Sequence, residues 1–364
     1  MKKTNIYQNQ SQELLHLFEE AGSSEKVMCV PMDYAKNDHL VMFCNGHGDI
    51  LRKPFSVKNT PEGIAYIDEQ VRRCCRRCGI KKKHVFFGGE DANSFAKNFV
   101  STLRSKGFIV ANVNAHDAKK QRGNVQASTD RIDLMGIATL LLNCRANCCA
   151  AQPGIYGNLR TLVRHRRRLV QMLTEVKNRV HAIVDELFPG FLNEKNTGII
   201  PFTQSSLYLM QDRFSPKQIH SRRRQKLIEI LKRLGTSKAE ETAYKLQQYA
   251  AKTLHAPIEY VDTLQLSLAQ HVKHIRCLKE SVAQMEKEIA LNLALTQGAF
   301  LTSVCGIGLV LAAGVTAEIG DPNKQKPLNN LASYAGIIPR GKQTGGSNGK
   351  TYTGPVGKRC NRIL

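Results

Sequence analysis

Two short apolar runs, each ending in a carboxylate, constrain this chain more than any other feature. Val27-Met28-Cys29-Val30-Pro31-Met32 runs into Asp33, and His84-Val85-Phe86-Phe87-Gly88-Gly89 runs into Glu90. Apolar stretches of this length bounded by turn residues read as buried strands, so both carboxylates should emerge at strand tips. Asp130 and Asp133 open a helical stretch in Thr129-Asp130-Arg131-Ile132-Asp133, and residues at i and i+3 share one helix face. Clustered like charges repel and raise one another's pKa unless a cation compensates them. Magnesium is the expected cation, because it is hard, takes oxygen ligands and serves phosphoryl-transfer sites. Asp130 alone also reads as a helix-capping residue, a role that explains neither Asp33 nor Glu90.

The pattern around these residues gives a fold. Leu14, Leu15, Leu17 and Phe18 form the apolar side of a lead-in helix within residues 1–25. Strands follow at Val27–Met32, Leu40–Cys44 and Ile50–Phe55, the last two separated by the turn Asn45-Gly46-His47-Gly48. Thr60-Pro61 caps a helix running to about Cys75. His84–Phe87 is a fourth strand, Ala92–Ser105 a helix, Phe108–Val113 a fifth strand, and His116–Arg122 a basic loop before the Asp130 helix. Three hairpin-linked strands followed by alternating helix and strand is the order of a ribonuclease-H-like α/β domain, expected over 26–150. In that order the first and fourth strands lie side by side, which would bring Asp33 and Glu90 together.

The chain has 364 residues, with 53 Lys+Arg against 30 Asp+Glu, a net charge of +23 and a pI near 9.7. Basic surface of this extent fits a polyanionic partner, nucleic acid first, through counterion release. Met1-Lys2-Lys3-Thr4 lacks the apolar core of a signal peptide, so a cytoplasmic, nucleoid-associated location is expected, and most of the eleven cysteines should be reduced thiols. Cys74, Cys75 and Cys78 with Cys144, Cys148 and Cys149 lack matched zinc spacing and are read as ordinary thiols. The charge-free run from Ile289 to Ala317 is interrupted by polar residues and four glycines, so it reads as buried core and no membrane partner is expected. Thr344-Gly345-Gly346-Ser347-Asn348-Gly349-Lys350-Thr351 lacks the first glycine of a P-loop, which excludes that route to nucleotide hydrolysis.

From 151 to 295 the signal is helical. Leu159, Leu162, Val163, Leu169, Val170, Leu173 and Val176 recur at helical spacing. Ile275, Leu278, Val282, Met285 and Ile289 alternate steps of three and four, the seam of a coiled-coil arm or of an intramolecular helix pair. Two basic blocks, one holding Arg164, Arg166, Arg167 and Arg168 and the other Arg222, Arg223 and Arg224, are candidate phosphate contacts. Past Phe300 the chain turns glycine-rich. Gly306 and Gly308 in Val304-Cys305-Gly306-Ile307-Gly308-Leu309-Val310 fit either the phosphate-gripping turn of a helix-hairpin-helix or a close-packed turn. Arg340 and Lys342 add further candidate contacts to nucleic acid.

Taken together, these residues resemble the insertion-sequence-110 family of transposases, the DEDD-type recombinases guided by a bridge RNA. The resemblance rests on Asp33, on Gly89-Glu90 and on Thr129-Asp130-Arg131-Ile132-Asp133 at the front. At the back it rests on Val304–Gly308, Leu331–Arg340 and the glycine-rich segment to Asn361, so it covers most of the chain. It implies a RuvC-like catalytic domain holding metal on the four carboxylates, a helical coiled-coil arm, and a small, mainly helical C-terminal transposase domain over 296–364 carrying a nucleophilic serine. By position that serine falls on Thr344, and by chemistry on Ser347, so both stand as candidates. The family continues past Leu364 into a further helix, which admits a truncated copy. The implied function is insertion-sequence transposition by magnesium-dependent strand cleavage and rejoining through a covalent hydroxyl–DNA intermediate. The partners would be DNA at element ends and target, a guide RNA, and one or three further copies of the chain as dimer or tetramer. Two other readings share part of this pattern: a RuvC-like endonuclease using water, and a non-catalytic basic nucleic-acid-binding scaffold.

Overall fold

The computed structural model describes residues 10–90, 95–121, 129–148, 154–211, 214–254, 256, 258–321, 331–332, 335, 340–342 and 350–352, and the chain divides into two compact units, 1–150 and 151–364. The first unit is built on a five-stranded mixed sheet. Its strands are β1 (Met28–Asp33), β2 (Asp38–Asn45), β3 (Ile50–Lys58), β4 (Val85–Glu90) and β5 (Ile109–Asn112), in the order β3-β2-β1-β4-β5. β1 pairs antiparallel with β2 and parallel with β4, so the first and fourth strands are neighbours, as the sequence order implies.

Alternation along the strands sorts side chains to two cores. Met28, Val30, Met32, Val41, Phe43, Val85 and Phe87 pack on one face with Ile64, Ile67 and Val71 of α2 (Pro61–Cys78) and with Phe99 and Leu103 of α3 (Lys97–Ser105). Cys29, Met42, Cys44 and Phe86 pack on the other with Leu14 and Leu17 of α1 (Gln12–Ala21), Ala118 of α4 (Ala115–Lys120), and Leu134, Ile137 and Leu141 of α5 (Asp130–Leu142). Thr60 caps α2 by accepting from the Gly63 N–H at 3.3 Å, Pro61 fills the first turn, and Gly79 ends the helix in the left-handed region at φ 67°. The helix therefore runs three residues beyond Cys75. The stretch read as a basic loop from His116 is instead mostly helix α4, since Asn114 accepts from the His116 N–H and the buried Ala118 anchors the turn. The helix expected from Ala92 begins at Lys97, with 91–94 outside the described residues.

Cys74 and Cys75 belong to one core, Cys144 and Cys148 to the other, with the sheet between them. That separation removes the paired zinc reading for these four.

The second unit is helical. α6 (Ile155–Leu187) and α12 (Ile258–Ala294) are 33 and 37 residues long and pack against each other. Leu159 and Val163 share a core with Ile289 and Leu293, while Val176, Val180 and Val184 share another with Leu268, Val272 and Ile275, so the two helices run antiparallel. Between them lie α7 (Glu194–Thr197), α8 (Gln204–Leu209), α9 (Pro216–Ser221), α10 (Arg224–Arg233) and α11 (Ala239–Lys252), which close over the second core with Phe188, Phe191 and Phe214. After α12 come a 3-10 helix, Gln297–Ser303, and α13 (Leu309–Ile319). The charge-free run from Ile289 is thus broken into three elements, with Ala312, Ala313 and Ala317 buried against α6 and α12. Among the described residues no helix is long and apolar enough to cross a membrane. A two-stranded antiparallel ladder, β6 (Arg340–Lys342) with β7 (Lys350–Tyr352), pairs Arg340 with Tyr352 and Lys342 with Lys350.

Candidate carboxylate site at the strand tips

The β1–β4 ladder runs in parallel register from Met28 opposite Val85 to Asp33 opposite Glu90. The two carboxylates therefore sit side by side at one end of the sheet, both half-buried. The residues beside them fix the backbone there. Tyr34, buried, meets the His39 ring edge-on at 5.4 Å, and His39 meets Phe99 at 4.6 Å. The Ala35 N–H donates to His39 Nδ1 at 3.3 Å, which assigns the neutral Nε2–H tautomer to this fully buried ring. A Cβ on Gly89 would strike the Met32 carbonyl oxygen and come within 2.6 Å of the Tyr34 ring. Glycine before Glu90 is what lets the chain leaving Asp33 fold back this closely.

Gly88 does the same for α5, because a Cβ there would overlap the Leu141 side chain. Leu142 lies 3.7 Å from the Cβ position of Gly48, in the turn beyond Asn45, at the end of the sheet where β1 begins. α5 packs along β1, and its 13 residues span about 20 Å at 1.5 Å per residue, so its first turn points back toward the end where Asp33 and Glu90 finish. Thr129 caps that turn, its hydroxyl accepting from the Ile132 N–H at 3.4 Å. Capping is thus the work of Thr129 and not of Asp130. Asp130 is exposed and Asp133 half-buried. Among the described residues no group of three or more His, Cys, Asp or Glu side chains is gathered as tightly as a metal site requires. The register brings two of the four carboxylates together, and the other two stand on the helix turn that faces the same end.

The basic candidates divide. Arg164 donates to Glu318 Oε1 at 3.0 Å, and Arg160, not singled out from the sequence, donates to Glu318 Oε2 at 3.3 Å and to the carbonyls of Ala317 and Glu318. Arg166 pairs with Glu286 through both Nε and a terminal nitrogen. Arg168 is exposed and Arg167 half-buried. Arg224 donates to Gln247 at 3.0 Å and lies 5.2 Å from the Tyr244 ring, while Arg223 is exposed and Arg222 half-buried. Gly306 takes φ 87°, a left-handed conformation that explains the glycine, whereas Gly308 caps α13 in extended backbone. Among the described residues neither glycine has a neighbour within 4 Å of its Cβ position, whereas a Cβ on Gly298 would overlap Thr316, so close packing there is the role of Gly298. The segment before α13 is the 3-10 helix, shorter than a full helix-hairpin-helix would supply. Arg340 and Lys342 lie on β6, and Thr344 and Ser347, both between β6 and β7 in sequence, lie outside the described residues.

Three comparisons bear on this arrangement. Residues 30–189 match a DEDD-type family of IS110 proteins described as transposase. Residues 298–364 match a second, described as transposase of the IS116/IS110/IS902 family. The chain is also similar to an insertion element IS110 uncharacterized 43.6 kDa protein from Streptomyces coelicolor, 26% identical over 197 residues, covering 53% of this chain and 47% of that protein. The chain thus spans about half the length of the curated relative it matches.

Proposed function

The chain belongs to the IS110 family of transposases, and from that premise we propose that it cuts and rejoins DNA strands to move an insertion element. The observation that supports a cleavage site is the parallel register that sets Asp33 beside Glu90 at neighbouring strand tips, with the first turn of α5 facing the same end. A sheet of order β3-β2-β1-β4-β5 with helices on both faces supports the ribonuclease-H-like, RuvC-type reading of this unit.

The donor set fits a hard divalent ion, since all four side chains offer carboxylate oxygen and no sulfur. Asp33, Glu90, Asp130 and Asp133 would hold magnesium, which polarises a scissile phosphate and stabilises charge on the departing oxygen. The chain's own part is to fix the carboxylates. The β1–β4 ladder sets two, the Thr129 cap sets the helix turn bearing the others, and Gly88 and Gly89 permit the close approach of Leu141 and Tyr34.

The hydroxyl of Ser347 or Thr344 attacks phosphorus. A bond from that oxygen to phosphorus forms, the bond to the 3′ oxygen breaks, the hydroxyl proton is released and the 3′ oxygen takes one up. The product is a covalent protein–DNA link with its phosphodiester energy retained for rejoining, when a second 3′ hydroxyl reverses the sequence. The carboxylates and the two candidate hydroxyls belong to different matched regions, and two copies of the chain would have to meet for the carboxylates of one to face the hydroxyl segment of another, in a dimer or tetramer. Choice of target is assigned to a guide RNA, by base pairing, with the protein reading backbone and shape.

The test uses the full chain, RNA transcribed from the flank of its reading frame, and a labelled duplex of that flanking DNA, in magnesium. A detergent-resistant protein–DNA adduct is expected, reduced at least about 100-fold by Asp33→Asn or Glu90→Gln with DNA binding retained, as loss of a main electrostatic contributor requires. Adduct undiminished by Ser347→Ala and Thr344→Val together would remove the hydroxyl assignment. Cleavage surviving deletion of residues beyond 300 would favour a water-using endonuclease.

A further inference from the structure

Seven of the twelve residues from Arg72 to Lys83 are Arg or Lys. On α2, Arg72 and Arg76 stand at i and i+4, as do Arg73 and Arg77, and all four are exposed. Lys81, Lys82 and Lys83 follow, also exposed, on the turn and 3-10 helix that lead into β4. The buried carboxylate of Asp68 draws three elements together at this end. It holds Arg72 at 2.8 Å, Lys82 at 3.7 Å and Lys106, beyond the end of α3, at 3.8 Å.

Cations in the last turn of a helix offset its dipole, and Arg76 and Arg77 alone would serve that purpose. Among the described residues three carboxylates, Asp68, Glu69 and Glu20, pair with this group of eight cations. Among the described residues Arg76 and Lys81 have neither a side-chain hydrogen bond nor an ion pair. So much like charge on one surface lowers stability through self-repulsion, and is relieved when a polyanion is bound. Between the cations lies an open cleft of about 410 Å³ with Val71 and Cys75 as its floor and Arg72, Arg76 and Lys82 at its rim.

We propose that this surface binds the phosphodiester backbone of a nucleic-acid helix at a site separate from the carboxylates. Neighbouring cations of one i,i+4 row rise by about 6 Å, close to two phosphate steps of about 3.4 Å along one strand. Lys83 lies two residues before the foot of β4 and Glu90 is at its tip, so six strand residues at about 3.3 Å each set the two regions roughly 17–20 Å apart or more. A backbone gripped at α2 is therefore not the phosphate beside Asp33. The surface holds a second strand or a second helix while the first is processed, and its binding does not depend on cleavage.

Binding is read by fluorescence anisotropy on the full chain in EDTA, with a 20-base-pair RNA duplex and a DNA duplex of the same sequence, across salt concentrations. Arg73→Glu, Arg76→Glu and Lys81→Glu are combined in one variant, and the matched control combines Lys232→Glu, Lys238→Glu and Lys245→Glu on the second unit, which alters net charge equally. The α2 variant should weaken at least one duplex about tenfold or more at 0.1 M salt and flatten its log–log salt slope by about 2–3, the loss of three phosphate contacts. The control should move neither by more than about twofold. The duplex that loses more identifies the bound polymer, and equal losses assign the site to backbone alone. A neutral variant, Arg73→Gln with Arg76→Gln and Lys81→Gln, and an unchanged melting temperature guard against misfolding. Equal effects of the α2 variant and the control overturn the proposal, as does loss of binding to phosphatidylserine vesicles with both duplexes bound as before.

Discussion

Two arginine runs of similar density have different fates in this chain. On α6, Arg164 and Arg166 reach carboxylates 154 and 120 residues away in sequence, Glu318 and Glu286, and with Arg160 they tie α6 to α13 and α12. On α2, Arg72 and Arg73 reach only the preceding turn, at Asp68 and Glu69, and Arg76 makes no ion pair among the described residues. The difference is one of burial. Glu318 is 5% exposed and sits under its two arginines, so that pair is part of the packing of the second unit. The α2 guanidiniums stand in solvent, where ion pairs contribute at most about 1 kcal/mol. Charge density in sequence is the same signal in both places. Only the location of the answering carboxylate separates a clamp from a binding surface.

The largest expected contrast is chemical. Thiols next to clustered cations ordinarily ionise more easily. Cys75 lies beneath the α2 run, and burial outweighs Lys82 there, pushing its thiol up to about 11. At pH 8 the thiolate of Cys75 is on the order of 0.1% populated, so iodoacetamide should modify it at least about 100-fold more slowly than the exposed Cys277, as followed by peptide mass spectrometry. The sign for stability follows. Raised from its unfolded value near 9, this thiol stays protonated longer in the folded chain, so its contribution is full below pH 9 and is lost as pH climbs toward 11. Rapid labelling of Cys75 in the native protein would mean that the α2 cations govern their surroundings after all.

Next in size is the clamp itself. Arg160→Met with Arg164→Met removes the two arginines that meet the buried Glu318 carboxylate, and breaking a buried pair from one side costs about 3 kcal/mol. Urea unfolding of the full chain should show that loss in the transition of the helical unit. A cost under about 1 kcal/mol would place this pair in the same class as the α2 pairs.

How much of this was legible in the sequence depends on the range of the interaction. The strands, the α2 cap at Thr60-Pro61 and the adjacency of Asp33 and Glu90 follow from local pattern plus one topological rule, and all are found. The nucleic-acid candidates rested on runs of like charge. Arg164 and Arg166 looked open because Glu318 and Glu286 lie more than a hundred residues away, and Arg160 went unremarked because it stands alone in sequence. In the α2 run the arginines are interleaved with cysteines, so no unbroken basic block marks them in the sequence. Gly88 and Gly89 looked like strand-end punctuation. Their reason is the approach of Leu141 and Tyr34, contacts that exist only once α5 and the turn after Asp33 have docked.

A smaller effect is expected where the α2 surface meets its buried anchor. Asp68 has a side chain only 7% exposed, whereas its partners Arg72, Lys82 and Lys106 are 62%, 46% and 38% exposed. Asp68→Asn keeps the shape and removes the charge, leaving cations that water can still solvate, so the cost should be about 1–2 kcal/mol in urea unfolding, well below that of the clamp. The same substitution makes the surface more positive, so affinity for duplex should hold or rise at low salt.

The smallest change tests the foot of the same surface. His84, 4% exposed, follows Lys83 directly, and among the described residues neither of its ring nitrogens has a hydrogen-bond partner. A buried imidazole in that state leaves both ring nitrogens without a hydrogen bond, and each uncompensated polar group costs stability. Phenylalanine has a ring of similar size and no polar atom to strand. His84→Phe should therefore be neutral or stabilising by about 1 kcal/mol in the unfolding of the first unit, without altering duplex binding. A destabilisation of more than about 1 kcal/mol, or a loss of binding with the fold intact, would show that the ring has a polar partner when nucleic acid is held, and would extend the basic surface inward from Lys83 to the last residue before β4.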